Sequence, residues 1–168
     1  STFMWAWANG LDAKTGGDDY RLSPKFTYNL INNGENNGSW FSECYEAQLR
    51  HGCPTWNEFP YAGSTSPATN YRAWPSSYTT YRNAIDRRFN TWGAVDQLNS
   101  DGGIDNVKQL LVDGYILNYA TYISSWQTMS IKDDPGTSED NSEVGKGVAY
   151  GVSGSSGAHG MTIVGYND

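Results

Sequence analysis

An α+β fold, with helices first and strands later, is what the amino-acid sequence predicts. Three observations lead there. Apolar residues recur at helical spacing between cap and breaker residues through the first part of the chain. Tyr115 to Ile123 is an aromatic and β-branched run that reads as a strand. Met161 to Tyr166, with Thr162, Ile163 and Val164 between glycines, reads as another.

The elements follow in order. Met4, Trp7, Ala8 and Leu11 predict a helix over residues 4–13, ended by Gly16-Gly17. Ser23-Pro24 opens a second, because Ser caps a helix and Pro suits its first position; Phe26, Leu30 and Ile31 supply the apolar face. Gly38-Ser39 opens a third. Phe41, Tyr45 and Leu49 form a ladder there, Trp40, Cys44 and Ala47 run beside it, and Gly52 and Pro54 stop it. Residues 54–79 hold Pro54, Pro60, Pro67 and Pro75 and predict a long ordered loop whose Trp56, Phe59, Tyr61 and Trp74 are expected to pack. Residues 80–98 match no single pattern. Asp101-Gly102-Gly103 is a turn, and Ile104, Val107, Leu110 and Leu111 predict a short helix closed by Gly114. An acidic loop is expected over 132–147 and a short strand over Val148 to Val152. One domain over 1–168 is expected, helical over about 1–75 and β-rich over 76–168, with a site in the cleft between such halves.

Composition narrows the function. The net charge of −7, from 18 acidic and 11 basic residues, argues against nucleic acid, which is bound mainly by Lys and Arg on phosphates. No apolar run approaches the about 20 residues that span a bilayer. Abundant Gly, Tyr, Asn and Ser with few Lys suggest an extracellular or cell-surface location. Cys44 and Cys53 are too few for a disulfide scaffold, and they lack metal-ligand spacing. A bridge between them and two free thiols are both left open. Asp133, Asp134, Glu139, Asp140 and Glu143 do not follow a calcium-loop spacing and are expected to be solvated. No metal and no cofactor is expected.

Two segments look like more than scaffold. Met4-Trp5-Ala6-Trp7-Ala8 sits at a helix start. Gly157-Ala158-His159-Gly160 leads into the last strand, where small neighbours let an imidazole act as a general base. His51, beside Gly52, is expected to be a solvated residue at a helix C-terminus. The many Trp and Tyr fall mostly at positions where packing is expected.

These segments resemble the papain-like cysteine peptidases. The His159 segment is similar to the stretch around that family's catalytic histidine. Leu22-Ser23-Pro24-Lys25-Phe26-Thr27-Tyr28-Asn29 resembles its Leu-Ser-Pro-Gln-Phe-Leu-Tyr-Asn. Gly38-Ser39, Gly52 and Phe59-Pro60-Tyr61 resemble its Gly-Ser, Gly and Pro-Tyr pattern. Trp5-Ala6-Trp7-Ala8 matches the Trp-Ala-Phe-Ala that follows its nucleophilic cysteine. The four matches fall in the family's order along the chain.

The resemblance implies a papain-like fold, with a helical left half and a β-rich right half. It also implies a thiolate at a helix N-terminus, a facing histidinium, and peptide segments as ligands, with Gly38, Ser39, Trp40 and Ala158 lining the substrate site. It assigns His159 as the catalytic base and puts Met4 at the nucleophile position. A thioether has no proton to lose and cannot become a thiolate, so the chain is expected to be inactive as written. The family's oxyanion-donating glutamine would lie before Ser1 and its histidine-orienting asparagine after Asp168, so the family domain is expected to be incomplete at both ends. Three functions remain open: a pseudopeptidase that binds peptides, an active protease represented by an altered or processed chain, and an extracellular peptide- or glycan-binding module.

Overall fold

The computed structural model describes residues 21–61, 66–130, 144–145, 147–150, 155–163 and 165–166. The expected first helix, with Met4, and nearly all of the acidic stretch lie outside the described residues. The chain forms two units that meet in sequence at Ile116 and Leu117. Described helices belong to the first unit and described strands to the second, a mixed α and β composition.

The first unit holds α1 (Pro24–Ile31), α2 (Phe41–His51), α3 (Tyr78–Ile85) and α4 (Asp101–Val112). The Ser23-Pro24 start is realised: Ser23 Oγ accepts from the Phe26 N–H at 3.3 Å and Pro24 takes the first turn. The third expected helix starts later than Gly38-Ser39, at Phe41. Trp40 is the N-cap and has no side-chain oxygen to offer, and the Glu43 carboxylate accepts from its backbone N–H at 2.9 Å. α3 lies where the sequence matched no pattern. Its Ser77 cap accepts from the Thr79 N–H, and only Thr80 and Ala84 are buried along it, so the apolar stripe is too thin to register as a period. α4 covers the expected segment but begins three residues earlier, so Asp101-Gly102-Gly103, expected as a turn, is the first turn of the helix, with the Ser100 side chain accepting from the Gly103 N–H as cap.

The core among the described residues of this unit is built on aromatic contacts. Leu22, Phe26, Cys53, Phe59 and Ala84 are buried together, with Leu30, Ala73 and Tyr81 packed against them. Phe26 meets Phe59 and Tyr81 edge to face at centroid distances of 6.4 and 5.9 Å. Segment 52–56 threads through this core. Ser23 N–H donates to the Pro54 carbonyl at 2.9 Å, Trp56 N–H to Arg21 at 2.6 Å and Cys53 N–H to Ala84 at 3.2 Å, so three otherwise separate stretches are tied together. Glu58 adds a second tie. Its carboxylate accepts from Thr55 N–H at 2.7 Å, Asn83 Nδ2 at 2.6 Å and Arg87 Nη1 at 3.0 Å. Burial pushes its pKa up, but these donors together hold it below the usual carboxylate value.

Among its described residues the second unit has two antiparallel pairs: β1 (Leu117–Tyr122) with β4 (Ala158–Ile163), and β2 (Gln127–Ser130) with β3 (Gly147–Tyr150). The expected strand from Met161 starts three residues earlier, at Ala158, because β1 is long enough to pair with Ala158, His159 and Gly160. The strand expected from Val148 is β3. Its partner β2 is short and polar at both ends and was not expected.

Gly52 carries the tightest demand on sequence. Its φ is +67°, and a Cβ there would lie 1.7 Å from the Ala84 carbonyl oxygen. At Gly38 no described atom lies within 4 Å of a Cβ position. Gly52→Ala is expected to lower unfolding stability by about 2–4 kcal/mol, from backbone strain plus overpacking, and Gly38→Ala to leave it within about 0.5 kcal/mol. Urea denaturation followed by tryptophan fluorescence measures both; equal midpoints for the two variants would remove this account of segment 52–56.

Candidate functional site

The residues singled out from the sequence fall into two described groups, one in each unit. In the first unit, Gly38, Ser39 and Trp40 form the exposed approach to α2. The Trp40 backbone is extended, and its indole is 76% exposed. No described atom comes within 4 Å of where a Gly38 Cβ would be.

In the second unit, His159 is the second residue of β4 and is exposed. It pairs across the sheet with Thr121, next to Tyr119↔Met161 and Leu117↔Ile163. Side chains alternate along a strand, so His159, Met161 and Ile163 share one face with Thr121, Tyr119 and Leu117. That face is apolar and half-buried at Met161 and Ile163, and His159 is its polar end. Tyr119 stacks on Trp126 at 6.3 Å and donates its hydroxyl to Met161 Sδ at 3.7 Å. Gly157, at φ +70°, turns the chain into β4 beside Ile123, whose N–H donates to the Gly157 carbonyl at 3.2 Å. Ala158 is exposed too, but alternation puts its methyl on the face opposite His159. Met4 lies outside the described residues.

The two cysteines are free. Cys53 is fully buried; its thiol donates to the Ser23 carbonyl at 3.2 Å and sits 3.6 Å from Thr27 Oγ1. Burial pushes this thiol up to about 11, against weaker downward pulls from Thr27, Ser23 and Arg87. A thiol so placed is a core residue, not a nucleophile. Cys44 is half-buried on α2, 3.8 Å from Ser39 Oγ. His51 is exposed at the last residue of α2.

Among the described residues no three His, Cys, Asp or Glu side chains are grouped to hold a metal, and no helix is long and apolar enough to cross a membrane. The expectation that most Trp and Tyr pack is corrected at several positions. Trp56 and Tyr45 do pack on other rings, but Trp40, Trp74, Tyr78 and Tyr115 are 76%, 50%, 80% and 59% exposed. Trp40 and Tyr78 stand at helix starts and Tyr115 just beyond the end of α4, where helical spacing no longer decides which way a side chain faces.

Two contributors escaped the sequence. Glu58 was readable as the end of a Thr55-x-x-Glu58 capping pattern, and the two residues do exchange hydrogen bonds around a turn. Tyr28, whose hydroxyl donates to the Asn37 carbonyl and so anchors the loop before Gly38, has no local signal, because its partner is nine residues away. Comparison with protein-family models, curated proteins and solved structures found no match to this chain.

The difference between the two thiols is testable. Iodoacetamide at neutral pH, followed by mass spectrometry, is expected to label Cys44 and leave Cys53 unmodified until the chain is unfolded. Labelling of Cys53 in the folded chain at the rate of Cys44 would contradict the buried, raised-pKa thiol.

Proposed function

We propose that the chain is a papain-like cysteine peptidase superfamily domain that binds peptide segments and does not cleave them. The observation that carries the reading is the order of its motifs: Trp5-Ala6-Trp7-Ala8, Leu22 to Asn29, Gly38-Ser39 with Phe59-Pro60-Tyr61, and Ala158-His159-Gly160 into Val164-Gly165-Tyr166. The geometry supports it in three ways. Helices precede strands. Gly38 to Trp40 is an exposed approach to a helix, suited to backbone pairing with an extended ligand. His159 is presented on β4 with its ring accessible.

In this reading position 4 is the nucleophile's place and His159 the base's. An active member would form a thiolate there, attack a peptide carbonyl, and pass a proton from the imidazole to the leaving amine. Met4 halts the sequence at the first step, because its sulfur bears no proton and forms no acyl intermediate. Neither remaining thiol stands at that motif position: Cys53 is sealed in the core, and Cys44 is half-buried on α2, outside the segment that resembles the nucleophile's. Loss of the nucleophile in a triad-type enzyme costs on the order of 10⁶ in kcat. What survives is binding, with an extracellular peptide or protein segment as the proposed partner.

The exposed Trp40 and Tyr78 favour a second reading, a glycan-binding module, since aromatic faces stack on sugar rings. Hydrolysis and binding assays separate the two. The unmodified chain is expected to bind extended peptides without cleaving them. Met4→Cys is expected to gain at best partial hydrolysis with poor turnover, and His159→Ala to abolish that gain. Hydrolysis by the unmodified chain that survives His159→Ala would put the site elsewhere, and binding of oligosaccharides but not peptides would select the second reading.

A further inference from the structure

The loop between α1 and α2 contains the same local sequence twice: Asn32-Asn33-Gly34-Glu35 and Asn36-Asn37-Gly38-Ser39. An Asn-Gly pair can modify itself. The backbone nitrogen of the glycine attacks the asparagine side-chain carbonyl carbon, a C–N bond forms, and ammonia leaves with the carboxamide nitrogen and the proton given up by the glycine N–H. Water then opens the cyclic imide to aspartate or isoaspartate. Glycine permits this because it lacks a Cβ to obstruct the ring. The glycine nitrogen must also be free of other hydrogen bonds.

The fold treats the two copies differently. Gly34 N–H donates to Asn32 Oδ1 at 2.8 Å, Asn33 is held at φ +53° and Gly34 at +76°, and the Gly34 carbonyl accepts from Arg72 Nε at 2.7 Å. That pair is locked in a turn, with its nucleophile engaged. Among the described residues Gly38 N–H has no acceptor and no atom lies within 4 Å of a Gly38 Cβ position, and both Asn37 and Gly38 are exposed. The Asn37 backbone carbonyl is the group that is held, by the Tyr28 hydroxyl. This anchors the peptide and withdraws charge from the Asn37–Gly38 bond, which makes the attacking N–H more acidic.

We propose that Asn37-Gly38 is a site of spontaneous deamidation, and that the fold protects the neighbouring Asn33-Gly34 pair. Each event adds one negative charge to a chain of formal net charge −7, placed beside Gly38, Ser39 and Trp40. The isoaspartate product also inserts an extra methylene into the main chain ahead of α2. The proposal does not depend on whether the chain binds peptides.

The test follows both asparagines in one sample. Because Asn37-Gly38-Ser39 also fits the N-glycosylation acceptor pattern, the chain is produced in a bacterial host, where the side chain stays bare. The folded protein is held in warm, mildly alkaline buffer, and the peptides carrying Asn33 and Asn37 are followed by mass spectrometry, with an isoaspartate-specific digest. A parallel sample is held in concentrated urea. In the folded chain Asn37 is expected to convert several-fold faster than Asn33; in urea the two rates converge, since the local sequences are nearly the same. Asn37→Gln is expected to remove the fast conversion and leave Asn33 unchanged. Equal or faster conversion of Asn33 in the folded chain, or a ratio that urea does not alter, would overturn the proposal.

Discussion

Segment 52–56 passes so close to the end of α3 that only hydrogen fits between Gly52 and the Ala84 carbonyl, and the first unit is organised around that approach. The same carbonyl accepts the Cys53 N–H, while Ser23 and Trp56 bond across to the strand-like pairing of Leu22 with Thr55. The ends of α2 and α3 and the start of α1 are thereby fixed against one another by backbone hydrogen bonds. The aromatic core of Phe26, Phe59 and Tyr81 fills what this backbone arrangement encloses. Cys53 is buried for the same reason: it is the residue threaded between Ser23 and Ala84, and its burial raises its thiol and removes it from chemistry.

This arrangement leaves the approach to α2 unburdened. Gly38 to Trp40 lies beyond the ties of segment 52–56 and is held mainly through Tyr28 and Glu43. An exposed backbone anchored at both sides but open along its length can pair with a ligand at little entropic cost. In the second unit His159 occupies the corresponding kind of position. It stands with Thr121 at the polar end of a sheet face whose other members are Met161, Ile163, Tyr119 and Leu117, and it is exposed.

Where caps, breakers and periodicity agreed, the elements were legible in the sequence. Ser23-Pro24, the Gly52 stop of α2, and Ile104 to Leu111 each rested on two independent local signals and are found as helices or helix ends. α3 was not legible, since two small buried residues per eight give no periodicity, and its place is set by tertiary contact with Cys53. The start of β4 at Ala158 was hidden because Gly-Ala-His-Gly has low strand propensity; pairing with β1 overrides it. The exposed aromatics were misjudged for a related reason: residue type predicts burial only inside an element, and Trp40 and Tyr115 stand just outside one. The candidate site residues rest on motif order alone, whereas the bond from Tyr28 that anchors the loop before Gly38 leaves no local signal in the sequence.

The central functional claim is that position 4 and His159 act on the same chemistry. The most direct test is the pH dependence of alkylation of Met4→Cys in a Cys44→Ser background, with and without His159→Ala; buried Cys53 does not interfere. If the claim holds, the new thiol titrates well below the about 8.5 of an ordinary cysteine, and His159→Ala returns it to that value. An alkylation profile that is the same whether or not His159 is present would contradict it.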